Sequence, residues 1–233
     1  MRERPILFSA PLVRAIIEGR KTVTRRPVKL HADEALRFDP CEPIERRYLA
    51  VRDDDETEHR NVRALGAPFG APGDRLWVRE SFSSRGQHGQ PSDIAEAAFV
   101  VMADGAQVYR DGQVVQPLSE YLPGAFDGIK WRPSIHLPRW ASRILLEVTD
   151  VRVERLQAIT EDDARAEGVE PFFARFQEIG RDQRITTGEL AADGEHRASF
   201  ACTWDEIYGD GASWKSNPWV WRIGFKRIEV PRG

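Results

Sequence analysis

The run Ile144-Leu-Leu-Glu-Val-Thr-Asp-Val-Arg-Val153 admits few structures other than a β-strand: it is dense in β-branched and aliphatic residues and contains neither glycine nor proline. At period two, Ile144, Leu146, Val148, Asp150 and Arg152 share one face, and Leu145, Glu147, Thr149, Val151 and Val153 share the other. Each face mixes apolar with polar groups. A strand of this kind changes its surroundings along its length, as strands of small barrels do. The carboxyl-terminal stretch from Asn217 to Ile228 reads as a second long strand, with Trp219, Trp221, Ile223 and Phe225 on one face. Four large apolar groups at period two make that face core.

Around these strands the sequence predicts a set of short elements. Ile6 to Ser9 reads as a strand leading into a helix over Pro11 to Glu18, whose buried face would carry Leu12, Ala15 and Ile16 and which Gly19 would end. Arg75 to Glu80 reads as a strand after the turn-rich segment from Pro68 to Asp74. Two Asp-Gly pairs, at 104–105 and 111–112, favour tight hairpins and predict a meander of Phe99–Met102, Gln107–Tyr109 and Gln113–Val115. Thr160 is a natural N-cap for a helix over Glu161 to Gly168, with acidic residues in its first turn and Asp163 as a capping-box partner. Phe200 to Tyr208 is helix-like. Residues 27–68, 86–128 and 175–195 read as excursions inserted into one elaborated α+β domain spanning 1–233, since neither a repeat nor a linker interrupts the chain.

Bulk composition narrows the function classes. Of 233 residues, 41% are hydrophobic and 30% charged, with a formal net charge of −3, which describes a globular chain but not one that coats nucleic acid by displacing counterions along a broad basic surface. Two cysteines, Cys41 and Cys202, form neither a disulfide framework nor a metal-binding spacing, so the expectation is chemistry without metal or cofactor. The first residues lack the apolar stretch of a signal peptide, and no run of about 18 apolar residues occurs, so a cytoplasmic protein with no membrane partner is expected.

The densest chemistry lies at residues 19–26, Gly-Arg-Lys-Thr-Val-Thr-Arg-Arg. Lysine and arginine supply fixed charge and donors, and threonine supplies a hydroxyl that attacks once a base removes its proton. The mixture suits an anionic or carbonyl-bearing ligand. The same residues also make a serviceable edge strand, where cations discourage unwanted pairing.

This octapeptide matches Gly-x-Lys-x-x-Thr-x-Arg, and in that respect the chain resembles the ASCH superfamily, small β-barrels related to the PUA RNA-binding fold. The Pro-Gly-Asp-Arg-Leu-Trp-Val-Arg-Glu segment at 72–80, the strand at 144–153, the Ile-Thr-Glu-Asp-Asp-Ala stretch at 159–164 and the terminal Trp-Val-Trp-Arg-Ile-Gly-Phe-Lys strand extend the resemblance over nearly the whole chain. It implies a PUA-like β-barrel with short flanking helices. One bacterial branch of the superfamily removes the acetyl group from N4-acetylcytidine with a lysine, a threonine and a glutamate. Carried over by motif, these fall on Lys21, Thr24 and Glu167. Other members bind or cleave RNA, so the resemblance implies a modified nucleoside or an RNA as partner and leaves hydrolase and RNA-binding or ribonuclease-type module both open.

The hydrolase reading sets a geometric condition. In a regular strand, residues 21 and 24 point to opposite faces, so Lys21 and Thr24 converge only if the backbone departs from a strand after Gly19. Glu80 is a rival carboxylate, at the end of a tryptophan-bearing strand. Candidates for substrate binding are Arg25 and Arg26 beside the motif, Glu80, and Trp131, Arg132, Ser134 and His136, where aromatic and polar groups interleave in the 130–140 loop.

Overall fold

The computed structural model describes residues 1–30, 34–38, 48–52, 62–85, 92–115, 130–171 and 194–229. Its class is α+β with mixed sheets and few helices, and among the described residues no sheet closes into a barrel. The chain forms two compact units, one from Met1–Ile17, Arg75–Glu147 and Arg227–Gly233, the other from Glu18–Asp74 and Val148–Lys226. The expected excursion at 175–195 lies outside the described residues but for its last two, and so do residues 86–91 and 116–129 of the 86–128 stretch and Cys41.

In the first unit, strand β1 (Glu3–Leu7) leads into helix α1 (Ala10–Ile17). The helix buries Val13, Ala15 and Ile16 while Leu12 is half-buried, so its inward face is rotated by one residue from the expected one. Starting at Ala10 and not Pro11, the helix aligns Val13 with Ile16 at i, i+3 on the same stripe. Strand β1 pairs in parallel with a strand at Arg75–Arg79, and that strand pairs antiparallel with the start of a long strand at Leu145–Arg155. The meander is present at Phe99–Met102, Gln107–Tyr109 and Val114–Val115, extended by a fourth strand at Phe82–Arg85. Phe82, Val100, Met102, Val108, Leu137 and Ala141 close its core.

In the second unit, strand β2 (Val23–Pro27) follows Gly19, whose φ of 77° lies where a side chain would be strained. The 27–68 stretch contains three further strands, β3 (Glu34–Phe38), β4 (Tyr48–Arg52) and β5 (Val62–Ala64), joined antiparallel into a small sheet. Numbered in chain order, the strands already given are β6 (Arg75–Arg79), β7 (Phe82–Arg85), β8 (Phe99–Met102), β9 (Gln107–Tyr109), β10 (Val114–Val115) and β11 (Leu145–Arg155). The last strand, β12 (Trp219–Ile228), lies between β11 and β2. Both of its faces are buried in its middle, with Val220 and Gly224 sealed as well as Trp221, Ile223 and Phe225.

Among the described residues, two α-helices pack in this unit. Helix α2 (Glu161–Ala166) begins as expected, with the Thr160 hydroxyl accepting from the Asp163 amide, but the Asp163 carboxylate is used elsewhere and closes no capping box. Helix α3 (Glu195–Ala212) is twice the length the sequence predicts. Leu156, Ile159, Ala164, Phe200, Trp204, Trp214 and Val220 form their shared core.

Helix α3 begins at Gly194, which offers no capping side chain, so its first amides need an acceptor from elsewhere. Glu161 supplies it: Oε1 accepts from the His196 amide at 3.0 Å and Oε2 from the Arg197 amide at 2.9 Å. Burial alone would raise the Glu161 carboxyl, but these two amides and the His196 ring hold it below its ordinary value. A Cβ at position 194 would sit 2.2 Å from Glu161 Oε2, at a φ of 121°. Gly194→Ala is therefore expected to cost about 1–3 kcal/mol from the strained backbone alone, read by chemical unfolding, with faster amide exchange at residues 196 and 197.

Candidate functional site

Strand β2 is the last in its sheet order, and the motif residues are arranged on and around its outer edge. Its pairing with β12 sets Thr24 opposite Ile223 and Arg25 opposite Arg222. Directly opposed residues of an antiparallel pair share a face, so Thr24 lies with Ile223 and Arg25 lies with Arg222 on the other side. The Phe225 amide donates to the Thr22 carbonyl and the Val28 amide to the Trp219 carbonyl. By alternation the Val23 carbonyl points away from β12, toward the open edge.

Lys21 precedes the strand, and its side chain closes that edge. Its ammonium donates to the Val23 carbonyl at 2.8 Å, to the Glu167 carbonyl at 2.8 Å and to Glu167 Oε2 at 2.7 Å. Three N–H groups meet three acceptors, which is all an ammonium has. The Thr22 amide donates to the Ala166 carbonyl at 2.9 Å. Chain entry into β2 thus supplies two donors to the carbonyls at the end of α2, which no turn of its own satisfies. Lys21, Thr24 and Glu167 are 2%, 2% and 4% exposed. Burial pushes the Lys21 ammonium below the ordinary lysine range; Glu167 opposes the shift, and Arg26 and Arg25 add to it.

Lys21 and Glu167 therefore meet directly. Thr24 is one peptide unit from the carbonyl on which the ammonium rests, and its hydroxyl takes part in no hydrogen bond with either group. The approach of Lys21 does not come from a bulge within the strand. It comes from the long side chain running past the strand end to an outward carbonyl.

Arg25 has its guanidinium fully buried among three carboxylates. Nε and Nη2 donate to Glu154 Oε1 at 2.9 and 2.6 Å, Nη2 to Asp163 Oδ2 at 2.7 Å and Nη1 to Glu167 Oε1 at 3.3 Å. Arg222 binds the other oxygen of Asp163 at 2.8 Å and Asp150 at 3.0 Å, while Arg152 reaches Glu154 Oε2 at 2.9 Å. Burial alone would raise Asp163, but the Arg222 and Arg25 contacts outweigh it and hold its carboxyl below the ordinary value. Lys21, Arg25, Arg152 and Arg222 balance Asp150, Glu154, Asp163 and Glu167. That balance is why two arginines stand opposite each other across β2 and β12 without repulsion deciding the pairing.

Glu154, Asp163 and Arg222 were not among the candidates read from the sequence. A signal was present: Asp150, Arg152 and Glu154 recur at period two on one face of β11, an unusual charged stripe on the strongest strand. Arg26 donates from Nη1 to the Tyr208 hydroxyl at 2.9 Å. A cavity of about 450 Å³ opens beside Tyr208, lined by Asp205, Glu206, Gly209, Gly211 and Ala212. It is an open recess at the end of α3 whose lining includes none of Lys21, Thr24 and Glu167, so the chemistry rests on the buried charge cluster and not on this hollow.

The remaining candidates belong to the first unit. Glu80 is sealed, with Arg143 Nε on Oε1 at 2.9 Å and Nη2 on Oε2 at 2.7 Å, and Asp104 at 2.8 Å from the same Nη2. Both of its oxygens are committed to a structural fork. Arg132 exchanges backbone hydrogen bonds with Phe82; Ser134 and His136 lie in a 3₁₀ turn that exposes the imidazole; Trp131 is 39% exposed. Trp140 packs against the core of the meander under Arg110.

Among the described residues, no group of His, Cys, Asp and Glu side chains is arranged to hold a metal ion, and no helix is long and apolar enough to cross a membrane. Comparison with protein families, with curated proteins and with solved structures finds no match to this chain.

Proposed function

We propose that Thr24, Lys21 and Glu167 hydrolyse the amide of an N4-acylated cytidine, in a cytoplasmic protein of the ASCH type built on a PUA-like barrel. The observation that carries this reading is the sealed Lys21–Glu167 pair, with the ammonium on the carbonyl of the peptide unit leading into Thr24. A lysine whose charge is disfavoured by burial is a base in waiting, and Thr24, which follows the carbonyl that the ammonium rests on, carries a hydroxyl that can act as nucleophile.

In the reaction, neutral Lys21 takes the Thr24 proton as Oγ1 attacks the acyl carbon, and the C=O π bond becomes an oxyanion. Collapse of that oxyanion breaks the C–N4 bond. The proton on Lys21 passes to the departing N4, which releases cytidine and leaves the acyl group as an ester on Thr24. Water, deprotonated by the same amine, then adds to the ester carbon; the C–Oγ1 bond breaks, Oγ1 takes the proton back from Lys21, and the acyl group leaves as the acid, which ionises to the carboxylate. Glu167 holds the amine in place throughout. Attack by Thr24 requires the amine to leave the Val23 carbonyl and reach the Thr24 hydroxyl, a movement that the four-carbon stem of lysine has to supply.

The alternative, an RNA-binding or ribonuclease-type module, needs the motif's cations offered to phosphates. Arg25 is spent on carboxylates and Arg26 reaches Tyr208, which favours the small neutral ligand. Purified protein is expected to convert N4-acetylcytidine to cytidine and acetate, with the rate rising with pH as Lys21 loses its proton. Lys21→Ala is expected to lower kcat by about 10²–10⁴-fold. An inert wild type that instead retains RNA in a salt-dependent manner moves the assignment to the alternative.

A further inference from the structure

The basic residue after Thr24 has the motif's most elaborate surroundings, yet none of its contacts face a ligand. Four of the five N–H groups of Arg25 are engaged by Glu154 from β11 and by Asp163 and Glu167 from α2 and its end. These donors are spent on carboxylates of the cluster, so the part Arg25 plays there is electrostatic. Its contact with Glu167 divides that carboxylate: Oε1 faces Arg25 at 3.3 Å and Oε2 faces Lys21 at 2.7 Å.

We propose that Arg25 is a positioning residue that shares the Glu167 carboxylate with Lys21, so that the carboxylate anchors the lysine amine without locking it in the ammonium form. The inference rests on Lys21 acting as base. A carboxylate shared with no second cation would favour the ammonium more strongly, against the burial that disfavours it. An arginine cannot be deprotonated in a protein, so it shares the carboxylate at every working pH. Arg25 itself stays buried because Glu154 and Asp163 neutralise it, and they are in turn oriented by Arg152 and Arg222. The charged groups acting on Lys21 include Glu167, Arg26 and Arg25; of these, Glu167 favours the ammonium and the two arginines disfavour it.

The test follows Lys21 itself rather than turnover alone. The titration of Lys21 is read from the ¹³Cε chemical shift of lysine-labelled protein, assigned by the signal missing in Lys21→Arg. In Arg25→Gln the titration is expected to move to higher pH, and the low-pH limb of the rate profile to move with it. Turnover at neutral pH falls about tenfold per unit and returns at alkaline pH, while Arg25→Lys, which keeps the charge, restores most of the profile. Should Arg25→Gln fail to fold, Glu154→Gln serves in its place: freeing Arg25 from one carboxylate turns it more fully on Glu167, and the Lys21 titration moves down. A folded Arg25→Gln, or Glu154→Gln, in which Lys21 titrates as in the wild type overturns the proposal. A wild type inert on N4-acetylcytidine, with Lys21 still responding to Arg25→Gln, overturns the hydrolase and leaves the charge sharing intact.

Discussion

Glu80→Ala lowers the free energy of unfolding by about 3–5 kcal/mol, because it leaves the Arg143 guanidinium buried against Asp104 alone. Both Glu80 oxygens are engaged by Arg143, and the two side chains are 3% and 4% exposed. Arginine has no neutral form to retreat to, so the Arg143 charge does not titrate away as pH rises toward about 10, while burial pushes the Glu80 carboxyl above its ordinary value against the Arg143 contacts. Burial works against the Arg143 charge, but the contacts with Glu80 and Asp104 outweigh it and raise the guanidinium above its ordinary value. Replacing both partners with apolar residues of similar volume, as in Glu80→Leu with Arg143→Met, is expected to recover most of the loss, since it buries no unpaired charge. A single variant that costs less than about 1 kcal/mol, the range of exposed pairs, contradicts the sealed fork.

Glu167→Ala has a comparable effect at neutral pH, about 3–5 kcal/mol, but a different pH dependence. It strips the sealed Lys21 ammonium of its carboxylate and removes one of the three around Arg25. Lysine, unlike arginine, can escape by losing its proton. Since the folded state holds the Lys21 proton less tightly than the unfolded chain does, the unfolded state binds more protons below the ordinary lysine value, and stability rises with pH through that window. The penalty of Glu167→Ala is therefore expected to shrink steadily as pH rises toward 10, while that of Glu80→Ala does not. Urea unfolding of both variants across this range separates a buried pair that titrates from one that cannot. Parallel curves for the two would mean that Lys21 keeps its charge throughout, and the base assignment would fail.

Local chemistry made much of the fold legible. The β-branched run at 144–153 is β11, the Asp-Gly pairs end where β8 meets β9 and β9 meets β10, and Thr160 caps α2 as its hydroxyl and position require. The tryptophan-bearing end is β12, although burial of both its faces depends on what packs above and below the sheet, which a single strand cannot announce. The three strands within 27–68 escaped notice because each is five residues or fewer and embedded in charge.

The site was legible in its residue types and not in its wiring. Glycine, lysine and threonine at fixed spacing are visible on the page; the partners of Arg25 are 129 to 142 residues away, and no local rule pairs them. Period-two reasoning set residues 21 and 24 on opposite faces of one strand. That parity applies only inside the strand, which begins at Val23. Lys21 lies outside it and reaches an edge carbonyl, a geometry that depends on side-chain length and on where α2 ends.

Release of cytidine from N4-acetylcytidine, timed for wild type, Thr24→Ser and Thr24→Ala at equal concentration, bears most directly on the assignment. The wild type is expected to turn over, Thr24→Ser to keep a measurable rate through its hydroxyl, and Thr24→Ala to lose it while unfolding at the same urea concentration. A wild type that releases no cytidine, or a Thr24→Ala variant as fast as the wild type, contradicts the proposed site.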